Sequence, residues 1–190
     1  TLHSNDTSTL LVEDCLFSIP IPQFAAPSGI GIRLRSMGQS IIRRCRFIDN
    51  RGGGTGAVHC DAPTWIDRCV FIGNEGRFDG GAAIYAFDGD ITVTNSVMAG
   101  NDRLGFSTIQ LNAGRLTMIN CTLFANGNTV PDPNTGSTFH NVLLPAGPGP
   151  HLIRNCIFWG NLSGQGDPIH LLDDPRRPEQ SRGARDRGWS

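Results

Sequence analysis

The chain has 190 residues, a formal net charge of -1 and 17% charged residues. This balance provides no general attraction to nucleic acid or to an anionic membrane, and no apolar run approaches the length of about 18 residues that spans a bilayer. Glycine accounts for 24 residues, well above its usual share of about 7%, so the chain is expected to turn often.

In chain order, six segments share one pattern and align on a single position. The segments are LLVEDCLF (10–17), SIIRRCRFIDN (40–50), TWIDRCVFIGN (64–74), ITVTNSVMAGN (91–101), LTMINCTLFAN (116–126) and HLIRNCIFWGN (151–161). The aligned residues are Cys15, Cys45, Cys69, Ser96, Cys121 and Cys156, at spacings of 30, 24, 27, 25 and 35 residues. Self-similarity of this kind is the signature of a repeat fold whose stacked units share one core.

Apolar residues alternate on both sides of the aligned position, as a strand with one buried face requires. The residue just before that position is polar in every segment and predicts a bend between two short strands: Asp14, Arg44, Arg68, Asn95, Asn120 and Asn155. Asn recurs five residues after it in all but the first segment: Asn50, Asn74, Asn101, Asn126 and Asn161. Because Asn tolerates left-handed backbone, these asparagines are expected at a corner.

A further short strand is predicted before each segment from the second onward, with one more after the last. These strands are GIGIRLR (29–35), GAVHCD (56–61), AAIYAF (82–87), STIQLN (107–112), NVLLP (141–145) and DPIHLL (167–172). Three strands and three turns per coil predict an all-β parallel β-helix of about six to seven coils over residues 1–172. A leucine-rich repeat needs a regular Leu framework that is missing here, and propeller blades need about 40 or more residues each.

The cysteines follow the same columns. Five of the six occupy the aligned position, and Cys60 lies at an inward position of another strand. Parallel side chains on stacked coils keep their Cβ atoms about 4.8 Å apart, beyond the roughly 3.8 Å that a disulfide prefers. We therefore expect an unbridged core stack in which each thiol serves as a small buried apolar group.

These columns resemble the right-handed parallel β-helix repeats of the pectate-lyase-like superfamily, over roughly residues 8–172. They are most similar to the variants in large bacterial secreted and surface proteins, including polymorphic outer-membrane-protein repeats. The resemblance implies a secreted or cell-surface location and a polysaccharide or cell-surface glycan as partner. Because the sequence shows no cap for the end coils, we expect the chain to be an interior or C-terminally truncated piece of a longer protein, whose remaining coils would stack on it.

A candidate binding surface follows from the alternation in the strand that precedes each segment. If the residues such as Ile32, Leu34, Val58 and Cys60 point inward, those between and after them point outward. Two stacked outer columns result, which we call the outer strip: Arg33, His59, Tyr85 and Gln110, beside Arg35, Asp61, Phe87 and Asn112. Guanidinium groups, aromatic faces and amides in one strip would suit an acidic polysaccharide.

The plainer interpretation is an ordinary polar surface, in which Arg35 and Asp61 form an ion pair of little energetic value. Leu143, Pro145 and Leu172 do not continue the strip at the later coils. Both interpretations remain open at the level of sequence. The absence of a carboxylate cluster from the strip favours a non-catalytic scaffold used for adhesion or glycan contact.

The alternative is a fragment of a polysaccharide lyase or glycoside hydrolase acting at the outer face of the 29–35/56–61/82–87/107–112 sheet. Its only acid–base candidates are His59, Asp61 and Arg33, whereas an inverting glycosidase needs two carboxylates about 6.5–9.5 Å apart. WIDRC (65–69) resembles the WIDH signature of pectate lyases, but Arg68 replaces its His.

No cofactor is assigned, and calcium is expected only under the lyase alternative. Asp88, Asp90 and Asp102 lie in turns but lack an Asp-x-Asp-x-Asp-Gly loop. The long loop at 127–140 could overhang the strip with Asp132 and His140, or be a solvated surface loop. From residue 173 the repeat stops, and residues 173–190 are predicted to be disordered.

Overall fold

The computed structural model describes residues 2–4, 9–19, 31–36, 38–52, 55–76, 81–101, 107–127, 140–144, 150–161 and 169–171. At 2–4, 35–36, 140–144 and 169–171 the description covers the backbone alone. These ranges form short strands and turns, with three parallel sheets of seven, six and six strands. The chain is therefore an all-β parallel β-helix, as the repeat predicted.

Six coils each contribute one strand to each sheet, in the order A, B, C, and one further strand of sheet A follows them. Sheet A holds β1 (Leu2–Ser4), β4 (Ile32–Ser36), β7 (Val58–Cys60), β10 (Gly81–Ala86), β13 (Ser107–Leu111), β16 (His140–Leu144) and β19 (Ile169–Leu171). Sheet B holds β2 (Leu10–Glu13), β5 (Ser40–Arg43), β8 (Thr64–Asp67), β11 (Ile91–Thr94), β14 (Leu116–Ile119) and β17 (Leu152–Arg154). Sheet C holds β3 (Leu16–Phe17), β6 (Arg46–Ile48), β9 (Val70–Ile72), β12 (Val97–Ala99), β15 (Thr122–Phe124) and β18 (Ile157–Trp159).

The bend between sheets B and C lies at the polar residue that precedes the aligned position. All six of these residues have left-handed backbone, with φ between 51° and 55°: Asp14, Arg44, Arg68, Asn95, Asn120 and Asn155. Left-handed backbone turns the chain within one residue, so two strands can follow each other without a loop. Side chains other than Asn and Asp are uncommon there, and Arg44 and Arg68 therefore store some strain.

The recurring asparagines do not have the left-handed backbone that was predicted for them. The residue before each carries the positive φ instead: Asp49, Gly73, Gly100, Ala125 and Gly160. The asparagine side chain turns inward and bonds from coil to coil. The Nδ2 of Asn74 donates to Oδ1 of Asn101 at 2.8 Å and to the Phe47 carbonyl at 3.0 Å, and the backbone N–H of Asn74 donates to the same Oδ1 at 3.1 Å.

The same pattern repeats along the five residues Asn50, Asn74, Asn101, Asn126 and Asn161, which we call the asparagine ladder. The first four are buried. Each of these amides takes up backbone groups at a corner where the sheet hydrogen bonding is interrupted, so the polar groups buried there are satisfied.

The core between the sheets is aliphatic and aromatic, with one column of stacked rings. Phe47 is fully buried and lies 4.9 Å from the ring centroids of both Phe17 and Phe71. All six cysteines are free thiols. Burial raises the pKa of Cys69 to about 12, so this thiol is held in its neutral, weakly reactive form.

Candidate functional site

The outer strip is assembled by the parallel register of sheet A. Arg33 pairs with His59 across β4 and β7, His59 with Tyr85, and Tyr85 with Gln110. The second column continues the same ladder one step past the strands, since the backbone N–H of Asp61, Phe87 and Asn112 each donate to the neighbouring coil. Seven of the eight predicted residues thus stand in two adjacent columns: Arg33, His59, Tyr85 and Gln110 in the first, and Asp61, Phe87 and Asn112 in the second. The backbone of the eighth, Arg35, lies in β4, and its side chain is outside the described part.

At the first coils of the strip, three charged or ionisable side chains form one hydrogen-bonded group. Arg33 donates to Asp61 from Nε at 3.1 Å and from Nη2 at 3.4 Å. Nε2 of His59 lies 2.8 Å from Oδ1 of Asp61, the same oxygen that Nη2 of Arg33 contacts. Nδ1 of His59 lies 3.4 Å from the hydroxyl of Thr55. The carboxylate and both ring nitrogens of the histidine are therefore engaged within the protein.

The pKa of the Asp61 carboxyl lies below its ordinary value. Partial burial alone would raise that pKa, but the hydrogen bonds from Arg33 and His59 and their positive charge outweigh it. Asp61 is consequently ionised at neutral pH. Its position explains the pairing: Arg33 is two residues before the position opposite Asp61, and its long side chain reaches across the diagonal.

The middle of the strip is held by aromatic and amide groups. The rings of His59 and Tyr85 meet edge to face, with centroids 4.9 Å apart and an interplanar angle of 83°. Nδ2 of Asn112 donates to the Tyr85 hydroxyl, and Nε2 of Gln110 donates to Oδ1 of Asn112 at 3.3 Å. Edge-to-face packing is one of the arrangements that aromatic pairs prefer. Together with the hydrogen bond from Asn112, this contact fixes the orientation of the Tyr85 ring.

The two aromatic members of the strip differ in exposure. Phe87 is 56% exposed, whereas Tyr85 is half-buried. An exposed ring on a flat β-face offers an apolar surface on which a planar or weakly polar ligand can lie. Phe87 and Asn112 are thus the exposed members of the strip, whereas His59 and Gln110 are buried.

Several other predicted residues have structural partners. Trp65 lies in β8, where its indole N–H donates to the Thr94 hydroxyl at 3.1 Å, and Arg68 forms the left-handed bend, so WIDRC follows the repeat. Asp90 forms an ion pair with Arg115 at 2.7 Å. Asp88 accepts the backbone N–H of Gly89. Asp102, Asp132 and most of the 127–140 loop, like the tail at 173–190, lie outside the described residues.

Two residues of the site were missed by the sequence reasoning. Thr55 precedes β7 in a glycine-rich turn, and the only signal was its spacing of four residues from His59. Thr108 lies on β13 two residues before Gln110, and its hydroxyl is buried without a hydrogen-bond partner. The two outer columns were defined by the residues that follow the inward Ile109 and Leu111, and Thr108, which precedes Ile109, lies outside them.

No three His, Cys, Asp or Glu side chains within the described ranges come together in a way that could hold a metal ion. The same ranges contain no helix that is long and apolar enough to cross a membrane. The site as described can therefore offer hydrogen bonds, one paired carboxylate and aromatic surface.

The comparisons with known proteins concern the fold. The family described as "Right handed beta helix region" matches residues 2–166. No curated protein and no solved structure matches the chain significantly. A parallel β-helix carries many unrelated functions, so the match by itself assigns no activity. The match spans well over half of the sequence and agrees with the three parallel sheets, and the chain belongs to the right-handed β-helix family.

Proposed function

We propose that the chain is an extracellular or cell-surface β-helix scaffold whose outer strip binds carbohydrate without turning it over. The observation that carries the proposal is the pair of exposed strip residues on adjacent coils, the ring of Phe87 and the amide of Asn112, beside the half-buried Tyr85. A linear glycan lying across the coils would meet these two side chains about 4.8 Å apart. His59 and Gln110 in the other column are buried. Its partners would include a polysaccharide or cell-surface glycan and any further coils of a longer parent protein.

The charges of the strip favour binding over acid–base chemistry. A general base needs an unshared nitrogen or oxygen within reach of its substrate. Both nitrogens of His59 face protein groups, and both oxygens of Asp61 are bonded to Arg33 or His59. Transferring a proton to a ligand from this group would first require breaking one of these contacts.

A second candidate function has one specific observation in its favour. Arg33, His59 and Asp61 lie within hydrogen-bonding distance of one another, an arrangement that a lyase or glycosidase of acidic polysaccharides would need. Under this candidate His59 is the acid–base residue, Asp61 orients its ring, and Arg33 contacts the substrate. The single carboxylate argues against an inverting glycosidase, which needs a second one.

Affinity electrophoresis in native gels that contain a polysaccharide would test the main proposal. Neutral substrates (a mixed-linkage β-glucan and a galactomannan) would be compared with polygalacturonate and alginate. We expect retardation of the wild type by at least one polymer, and at least tenfold weaker binding by Phe87→Ser, because the exposed ring supplies apolar contact. The matched control is Phe124→Ser, which removes a partly exposed ring from sheet C and should bind as the wild type does.

Release of reducing ends from the same polymers, with and without calcium, separates the two candidates. The proposed scaffold binds and releases nothing above background. Release by the wild type that is lost in His59→Ala would establish the lyase or glycosidase function instead. Wild-type protein that is folded by circular dichroism and is retarded by no polymer would overturn carbohydrate binding altogether.

A further inference from the structure

The outer face of sheet C is apolar, although it points to solvent. Phe47 and Phe71 belong to its inward column, so the residues on either side of that column point outward. The outward residues stand in two columns: Leu16, Arg46, Val70, Val97, Thr122 and Ile157, beside Ile48, Ile72, Ala99, Phe124 and Trp159. Among these residues of the described strands, Arg46 alone carries charge. A contiguous apolar surface of this kind marks a site of interaction.

The exposed part of this face lies on the third to sixth coils. Trp159 is 69% exposed and Ile157 is 59% exposed, and three further side chains are 39–40% exposed: Ile72, Val97 and Phe124. With roughly 150–250 Å² for each large side chain, these five leave roughly 500 Å² of apolar surface in contact with water. Two copies facing each other would bury roughly 1,000 Å², the area at which specific protein interfaces begin.

The aromatic rings of this face are oriented for interdigitation. The rings of Phe124 and Trp159 stack on each other, with centroids 5.3 Å apart and an interplanar angle of 18°. Rings stacked from coil to coil face each other and turn their edges outward, so a flat ligand such as a sugar ring finds little ring face on which to lie. The side chains of another apolar sheet can pack between such edges, as in two sheets that meet face to face.

We propose that the outer face of sheet C is a homodimer interface, in which a second copy packs face to face with its coils in reverse order. Reversal sets the bulky end of the face, at Trp159, against the end at Ile48 in the second copy. Val97 then lies at the centre, opposite its own counterpart.

The single charge of the face favours the reverse order. Reversal keeps the two Arg46 side chains about four coil spacings, roughly 19 Å, apart. It also brings each guanidinium to the end of the face that carries the indole of Trp159, and such rings attract cations. The same coil order would instead place the two guanidinium groups side by side. Because sheet A is a different face of the coil, the dimer leaves the outer strip open and does not depend on carbohydrate binding.

Charges placed at the centre of the face should break the dimer, and opposite charges should restore it. We expect sedimentation equilibrium of the wild type at about 100 µM to give twice the chain mass of 20.5 kDa. Val97→Lys and Val97→Glu should each weaken dimerisation at least tenfold, since like charges then face each other. An equimolar mixture of the two variants should regain the dimer. Thr92→Lys, made on sheet B of the same coil, is the matched control and should dimerise as the wild type does.

Each outcome decides the interface. A dimer that both Val97 variants lose and their mixture regains supports it. A dimer that folded Val97→Lys retains lies on another face and overturns the proposal. Loss in both variants without recovery in the mixture also overturns it, because Val97 then does not face its counterpart. Ile157→Lys, which would face Arg46 of the second copy, repeats the disruption at a more exposed position if circular dichroism shows that a Val97 variant is unfolded, and a dimer that it retains overturns the proposal.

A wild type that is monomeric at this concentration overturns the homodimer. Co-sedimentation of that monomer with phosphatidylcholine vesicles would assign the face to a lipid surface instead.

Discussion

The asparagine ladder and the outer strip are both built from one residue per coil, yet they solve different problems. In the ladder one residue type recurs, its amides are buried, and each bonds to the equivalent residue of the next coil. In the strip each coil carries a different side chain, and the bonds run diagonally or within a coil. A column of identical residues stabilises the stack, whereas a column of differing residues can recognise something outside it.

The comparison also separates satisfied from unsatisfied polar groups. The Nδ2 of each buried ladder asparagine has two acceptors, whereas Gln110 and Thr108 on sheet A keep buried atoms without partners. Ladder substitutions should therefore cost stability, and strip substitutions should cost binding.

The largest effect is expected from breaking the ladder at its middle. Asn101→Ala removes the acceptor of two N–H groups of Asn74 and the side-chain donor to the Phe71 carbonyl, while Oδ1 of Asn126 keeps only the backbone N–H of residue 101. We expect a loss of about 3–5 kcal/mol in the free energy of unfolding, measured by urea denaturation with circular dichroism. Asn112→Ala makes the same substitution at an exposed position of the strip and should cost about 0.5 kcal/mol. Equal losses at the two positions would contradict the comparison.

A smaller effect is expected from the paired carboxylate of the strip. Because the folded pKa of Asp61 lies below its ordinary value of 3.8, the group stabilises the fold above that pH, and the contribution is lost as the pH falls through the folded pKa. The unfolding free energy of the wild type should exceed that of Asp61→Asn above about pH 5. The difference should shrink towards zero below about pH 3. A difference that is independent of pH would show that Asp61 is not held ionised by Arg33 and His59.

The smallest effect is a gain in stability at a strained bend. Arg68 has φ of 52° and a largely exposed side chain, whereas Asn occupies the equivalent position at 95, 120 and 155. Arg68→Asn should raise the unfolding free energy by about 0.5–1 kcal/mol, since Asn tolerates left-handed backbone. Arg154→Asn, made in the extended strand β17, should give no gain. Stabilisation by both substitutions would point to charge rather than backbone strain.

The columns of the fold could be predicted because a parallel coil brings equivalent residues into register. Once Ile32, Leu34, Val58 and Cys60 were placed inward, the outward positions of Arg33 and His59 followed from alternation. The bend at Arg68 followed from the polar interruption in the same way. The family match and the three parallel sheets agree with that prediction.

Side-chain partners could not be predicted from the columns. Asn at a corner is compatible with left-handed backbone and with a buried ladder, and the preceding Gly73 and Gly100 were the signal that favoured the ladder. The sequence offered Arg35, in the same column, as a partner of Asp61, and the side chain of Arg35 lies outside the described residues. Among the described side chains the diagonal Arg33 forms an ion pair with Asp61, because a guanidinium reaches two residues along a strand. The burial of the Thr108 hydroxyl and of Gln110 Oε1 could not be predicted either, because alternation along a strand gives the direction of a side chain and not its exposure.

The central claim, that ligand binds at the outer strip of sheet A, is tested most directly by hydroxyl-radical footprinting with and without a retained polysaccharide. Exposed aromatic side chains occur on all three sheets, at Phe87, at Trp65 and at Trp159, so each sheet carries its own probe. We predict that the polymer protects Phe87 and Tyr85 from oxidation and leaves Trp65 and Trp159 unchanged. Protection of Trp65 or Trp159 with Phe87 still oxidised would place the binding surface on another sheet and contradict the account.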